Sequence, residues 1–109
     1  MLFNTMQMFN NAVTADTYSS AIEMLQNTSL SVQIVADGTT VTYAFTLYES
    51  NDGVNYLATS TTASLSATSG AQVLFLKLTD APSRYYKVFI DKTTNNLTSC
   101  VITGHAKGV

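Results

Sequence analysis

Ser50-Asn51-Asp52-Gly53-Val54-Asn55-Tyr56 is the stretch whose reading decides the fold of this chain. Asn51 and Asp52 carry short polar side chains that bond to nearby backbone, and Gly53 is free to take a positive φ. Together they specify a tight turn. The residues before it, Val41-Thr42-Tyr43-Ala44-Phe45-Thr46-Leu47-Tyr48, alternate large apolar with small or polar side chains. After it, Tyr56-Leu57-Ala58-Thr59 restarts the chain in extended form. Extended run, turn and extended run make a β-hairpin, and the same grammar recurs along the chain.

Upstream, Asp37-Gly38-Thr39 forms another turn. Before it, residues 29–36 place Leu30, Val32 and Ile34 on one face and Ser31 and Gln33 on the other, the period of two expected of a strand with one buried face. By the same parity Val41, Tyr43, Phe45 and Leu47 face a core, and residues 20–25 give a short strand ending at the turn-prone Gln26-Asn27-Thr28. Downstream, a Thr/Ser/Ala tract over 57–72 keeps the alternation at Ala63, Leu65 and Ala67, which predicts a short, lightly packed edge strand. Residues 72–78 are nearly continuously apolar, as in a strand covered on both faces, one by the core and one by a partner. Pro82 cannot donate to a ladder, so 79–83 turns. Residues 84–91 direct Tyr86, Val88 and Ile90 inward and Tyr85, Lys87, Phe89 and Asp91 outward. Residues 92–96 are expected to close another hairpin. The last strand, 97–106, places Thr98, Cys100 and Ile102 on one side and Leu97 and Val101 on the other. Eight or nine short antiparallel strands in a single layer would leave a large apolar face bare. Two packed sheets remove it, so the expected fold is all-β, an antiparallel β-sandwich of jelly-roll type.

The first residues read differently, dividing the chain into 1–17 and a sandwich over 18–109. Met1, Leu2, Phe3, Met6, Met8 and Phe9 are scattered among Asn and Gln with no clean helical stripe. Two readings stay open: a first strand over 6–10 within the same domain, or an extended arm that docks on a neighbouring subunit. In the second reading Met6, Met8 and Phe9 are the anchors, because they carry large apolar area without charge.

Composition sets the outer bounds. The chain has 109 residues, enough for one domain with one core. It is 46% hydrophobic but only 11% charged, against a usual charged share of about 25%. The surface is therefore built mainly of hydroxyl and amide side chains, which cost less to desolvate than ions. That suits extensive protein–protein contact; the neutral surface of an extracellular β protein is the other reading. The net charge is −2 and Arg84 is the sole arginine, which argues against nucleic acid as a partner. No apolar run approaches the length of a spanning helix, which argues against a membrane partner, and the start Met1-Leu2-Phe3-Asn4 lacks the basic region of a secretory leader.

Few residues suggest chemistry. Cys100 is the single cysteine and reads as a small core hydrophobe; His105 has the opposite parity on the same strand and points the other way. Asp37, Asp52 and Asp80 fall in turns, where Asp bonds to backbone, and no calcium-loop pattern is present. A lone histidine makes no zinc cluster. No metal, cofactor or catalytic residue is expected; an enzyme would need a pocket of convergent polar groups around His105. Of the tyrosines, Tyr43 and Tyr86 face the core, whereas Tyr48, Tyr56 and Tyr85 fall outward or near turns. Outward tyrosines stack on sugars or bury at subunit contacts.

The Ser50–Tyr56 turn, the Ser/Thr tract, Asp80-Ala81-Pro82-Ser83-Arg84-Tyr85-Tyr86-Lys87-Val88 and the closing Gly104-His105-Ala106-Lys107-Gly108 resemble the small β-sandwich virion proteins of bacteriophages, whose central hairpin reads S-N-D-G-V-N-W and whose later strand reads Y-R-Y-V-R-V. More distantly they are similar to discoidin-type β-sandwiches. Here Tyr56 stands where tryptophan is usual, and Tyr86-Lys87 departs from the second basic strand. The phage resemblance implies a non-enzymatic virion protein assembled in the host cytoplasm, decorating or cementing the capsid or sitting at its vertices. It would be a homo-oligomer, a trimer or pentamer, with the major capsid protein or other virion proteins as partners. The alternative it implies is a carbohydrate- or receptor-binding module of a spike.

Overall fold

The computed structural model describes residues 3–108; Met1 and Leu2, part of the expected arm, lie outside the described residues. Nine strands and no helix are present among them: β1 (Phe3–Val13), β2 (Thr17–Tyr18), β3 (Ile22–Glu23), β4 (Ser29–Asp37), β5 (Val41–Ser50), β6 (Leu57–Ala67), β7 (Ala71–Leu78), β8 (Tyr85–Thr94) and β9 (Leu97–Lys107). They form two antiparallel sheets. Sheet A runs β1-β9-β4-β7 and sheet B runs β2-β8-β5-β6, with β3 also on β8. The pairs are nested: β5 with β6, β4 with β7, β2 and β3 with β8, and β1 with β9. Successive pairs alternate between the sheets, as in a long hairpin rolled up around its tip. That is a jelly roll, and the Ser50–Tyr56 turn is the tip.

The parity of the sequence appears as burial. Leu30, Val32 and Ile34 of β4, Val41, Tyr43, Phe45 and Leu47 of β5, Tyr86, Val88 and Ile90 of β8 and Cys100 and Ile102 of β9 are all buried in one core between the sheets. Each such large aliphatic or aromatic side chain contributes about 1.5–3 kcal/mol when removed from water. The buried Tyr43 hydroxyl donates to the Asn95 carbonyl at 2.8 Å, tying β5 to the β8–β9 connection.

Several expectations need correction. The strands are not short: apart from β2 and β3 they run 8–11 residues, and β6, expected as a brief edge segment, has 11. Residues 92–96 close no hairpin, because β8 lies in sheet B and β9 in sheet A; the chain crosses between layers there. Leu97 is buried alongside Cys100, not on the opposite face, because the β1–β9 register shifts between Asn11 and Val13. Such a bulge adds a residue and reverses parity beyond it.

The N-terminal segment is an edge strand of this same domain. β1 pairs with β9 from Phe3 opposite Lys107 to Val13 opposite Leu97. Met8 is the extra residue of a bulge between Gln7 and Phe9 and is 2% exposed, inside the core. Met6 and Phe9 are half-buried and pack on it. Met8 therefore has no surface with which to anchor a neighbour.

Candidate binding surface on the outer face of sheet B

The outer face of sheet B gathers the exposed Tyr18 with the half-buried Tyr48 and Phe89. Register sets Tyr18 of β2 and Thr46 of β5 opposite Phe89 of β8, and Tyr48 opposite Lys87. The ring centroids of Tyr18 and Phe89 lie 4.8 Å apart, Tyr18 and Tyr48 meet edge to face at 5.5 Å, and Tyr48 and Phe89 at 5.9 Å. These separations fall in the range preferred by aromatic pairs. The Lys87 ammonium stands 4.2 Å from the Tyr18 ring centroid and 4.0 Å from that of Tyr56. One cation thus bridges two aromatic faces, joining the sheet patch to the end of the tip loop.

The tip loop is fixed by one carboxylate. Asp52 Oδ1 accepts from the Asn55 amide at 2.8 Å, the Val54 amide at 2.9 Å and the Ser50 hydroxyl at 2.9 Å, and Oδ2 accepts from the Asn55 side chain at 2.8 Å. The Asn55 and Val54 amides, then the Asn55 side chain and the Ser50 hydroxyl, hold this carboxyl well below the ordinary carboxylate range. Gly53 takes φ 76°, and a Cβ there would sit 3.4 Å from the Tyr85 ring. Asn51 accepts from the Arg84 amide at 3.0 Å, while the Arg84 guanidinium pairs with Glu23 at 2.9 Å and lies over Tyr85. Tyr56 and Tyr85 are therefore presented by an ordered corner. Burial, then Tyr85 and Asp52, raises the Tyr56 phenol above its ordinary value.

Of the residues singled out by sequence, Tyr48, Tyr56 and Tyr85 come together here. Met6, Met8 and Phe9 do not; they belong to sheet A. Sequence reasoning missed Tyr18 and the part played by Lys87 and Phe89. The outward parity of Tyr85, Lys87 and Phe89 was a usable signal, but nothing local shows that Tyr18 pairs with Phe89. An open hollow of about 420 Å³, lined by Tyr18, Ser20 and residues Gln7–Asn11 of β1, borders the patch.

A second feature surrounds His105. A shallow notch of about 240 Å³ on sheet A is lined by Ser29, Ser31, Lys77, Thr79, His105 and Lys107 among others, with no carboxylate. The His105 Nδ1 is bonded to the Thr5 hydroxyl at 2.6 Å, and Phe3 lies against the ring at 6.0 Å. A hydroxyl, not an acid, orients this imidazole, which is not the arrangement of a nucleophilic triad. Among the described residues no three His, Cys, Asp or Glu side chains are grouped to hold a metal, and no helix is long and apolar enough to cross a membrane. Compared with known proteins, the chain matches no family model and no curated protein.

Proposed function

We propose that this chain is a non-enzymatic structural protein of a bacteriophage particle, a homo-oligomeric jelly roll that decorates or cements the capsid or sits at its vertices. The outer face of sheet B is the surface it lays on the major capsid protein or another virion protein. The observation that carries this reading is the gathering of Tyr18, Tyr48, Tyr56 and Phe89 around Lys87 on one sheet face. Aromatic side chains are enriched at protein interfaces and supply most of the binding energy there. The low charge of the chain and the likeness of its tip loop to phage virion sandwiches support the same reading, in which the protein assembles into the virion in the host cytoplasm.

The test is to add purified protein to shells prepared without it and measure occupancy. Full occupancy is expected for the wild type and loss for Tyr18→Ser/Phe89→Ser, with the circular dichroism of the free protein unchanged. Full occupancy by the double variant would overturn the reading. The same patch favours a second reading, a carbohydrate-binding module, because tyrosine faces flanked by hydroxyls stack on sugar rings. Clean glycan-array signals lost on Tyr56→Ala would favour it.

A further inference from the structure

The jelly roll has four outer sheet edges, and three of them are spoiled for pairing. β1 carries register shifts at Met8 and near Val13. β6 breaks register between Thr46 and Tyr48 of its partner, where the Thr59 hydroxyl takes the Leu47 carbonyl at 2.8 Å. The remaining edge of sheet B is split into β2 and β3, with the Ser19 hydroxyl accepting from the Val88 amide at 2.9 Å. Bulges and interruptions of this kind keep edges from joining other chains.

β7 has no bulge or break; its one charged residue is Lys77, whose ammonium lies 5.0 Å from the Phe75 ring centroid. All eight residues, Ala71 to Leu78, pair in unbroken register with β4, leaving the other side of the strand unpaired. Its outward Val73 and Phe75 are 56% and 48% exposed. Its inward Leu74 and Leu78 are only half-buried, because the sheet ends there. A regular, proline-free edge with a largely apolar outward face is a template for another strand.

We propose that two copies of this chain join along β7, antiparallel about a two-fold axis at Leu74, so that the two sheets A become one continuous sheet. Opposing residues of an antiparallel pair must share a face, so the outward set Ala71, Val73, Phe75 and Lys77 pairs within itself. An axis at Leu74 uses nearly the whole strand and sets Val73 opposite Phe75 of the second copy, twice. An axis at Val73 would shorten the pairing, whereas an axis at Phe75 would use as much of the strand, from Gln72 to Leu78, with Phe75 opposite itself and Lys77 opposite Val73. Charge decides between Leu74 and Phe75 in favour of the Leu74 axis. It sets Lys77 opposite Ala71 of the second copy, whose own β4 neighbour is Asp37, on the same outward face. That Asp37 lies two strand spacings from Lys77, about 9–10 Å, a span that the two side chains bridge. The isologous contact closes after two subunits and leaves no further β7 edge. It requires no capsid and differs from the trimer or pentamer expected from sequence.

Sedimentation of the purified chain over a concentration series should show a dimer, and Val73→Lys/Phe75→Lys should lose it with an unchanged circular-dichroism spectrum. The register is read by mixing. A Val73→Cys chain and a Phe75→Cys chain, treated with a short thiol-reactive linker, should join covalently only when combined, since directly opposed Cβ atoms lie about 4.5–5.5 Å apart. Cys100 is buried and gives no background. A wild type that stays monomeric, a dimer that survives Val73→Lys/Phe75→Lys, or joining in the Phe75→Cys sample alone would each overturn the proposal. Failure to bind shells would leave it standing, and shell binding by a strict monomer would leave the particle reading standing.

Discussion

Met8 rests on Gly104. The bulged residue of β1 sends its thioether across β9 to the one core position there without a side chain, and a Cβ on Gly104 would stand 2.6 Å from Met8 Sδ and 3.1 Å from Ile22 Cδ1. The bulge and the glycine therefore act as a pair. Gly104→Ala should destabilise by about 1–3 kcal/mol through overpacking, and Met8→Ala by about 2–5 kcal/mol through loss of buried area and a residual cavity. In denaturant unfolding the double variant should cost less than the sum of the two, because truncating Met8 makes room for the new methyl. Additive losses would mean the contact is unimportant.

Asp52 gives the tip loop a defined acid response. Its carboxyl is depressed in the folded state, so its stabilising effect is complete above the ordinary value of 3.8 and is lost as pH falls through the lower folded value. Asp52→Ala should be less stable than wild type at neutral pH, and the two should converge only in strong acid. Amide shifts of Val54 and Asn55 followed by NMR should titrate below 3.8 in the wild type. A midpoint at or above that value would refute the assignment.

Burial pushes the Cys100 thiol up to about 12 from 9.0. A thiol held neutral is a poor nucleophile. Ellman's reagent at mildly alkaline pH should therefore react at the rate of unfolding and not at the rate of an exposed thiol. Stability should also fall as pH rises above 9.0, where the unfolded thiol ionises and the folded one does not. Rapid labelling of native protein would contradict the packing described.

Lys87 holds the two halves of the aromatic surface together. Lys87→Met keeps much of the alkyl stem but removes the charge between Tyr18 and Tyr56, and should cost about 0.5–1 kcal/mol of stability. Lys87→Arg should keep most of it. Guanidinium denaturation would obscure a charge effect, so urea melts are the appropriate comparison. Equal midpoints for wild type and Lys87→Met would show that the cation contributes nothing.

Residue parity carried most of the fold. Leu30, Val32, Ile34, Val41, Tyr43, Phe45, Leu47, Tyr86, Val88 and Ile90 could each be assigned to the core because a strand repeats every two residues whatever it pairs with. Pairing was not legible in the same way. Only β5 and β6 are joined by a local turn; β1 with β9 and β4 with β7 are matched across long stretches of chain, and no short-range signal encodes them. The hairpin wrongly expected over 92–96 is an example, since its turn residues serve equally well to carry the chain from one layer to the other. Bulges were equally hidden: Met8 and Leu97 reach the core through register shifts that alternation alone cannot reveal. The aromatic surface was half visible for the same reason. Tyr48, Tyr56 and Tyr85 lie near the tip loop, but Tyr18 reaches them only through pairing with β8.

The nested pairing also constrains the order of events as the chain is made. β1 needs β9 beside it, so of the nine strands the first made waits for the last made. During that interval Met6, Met8 and Phe9 have no native cover, and closure must await a contact that spans all the other strands. Topologies dominated by such distant contacts mature slowly, in milliseconds to seconds, so yield during synthesis should be limited by the uncovered β1 and should fall when translation is slowed, because the wait for β9 lengthens.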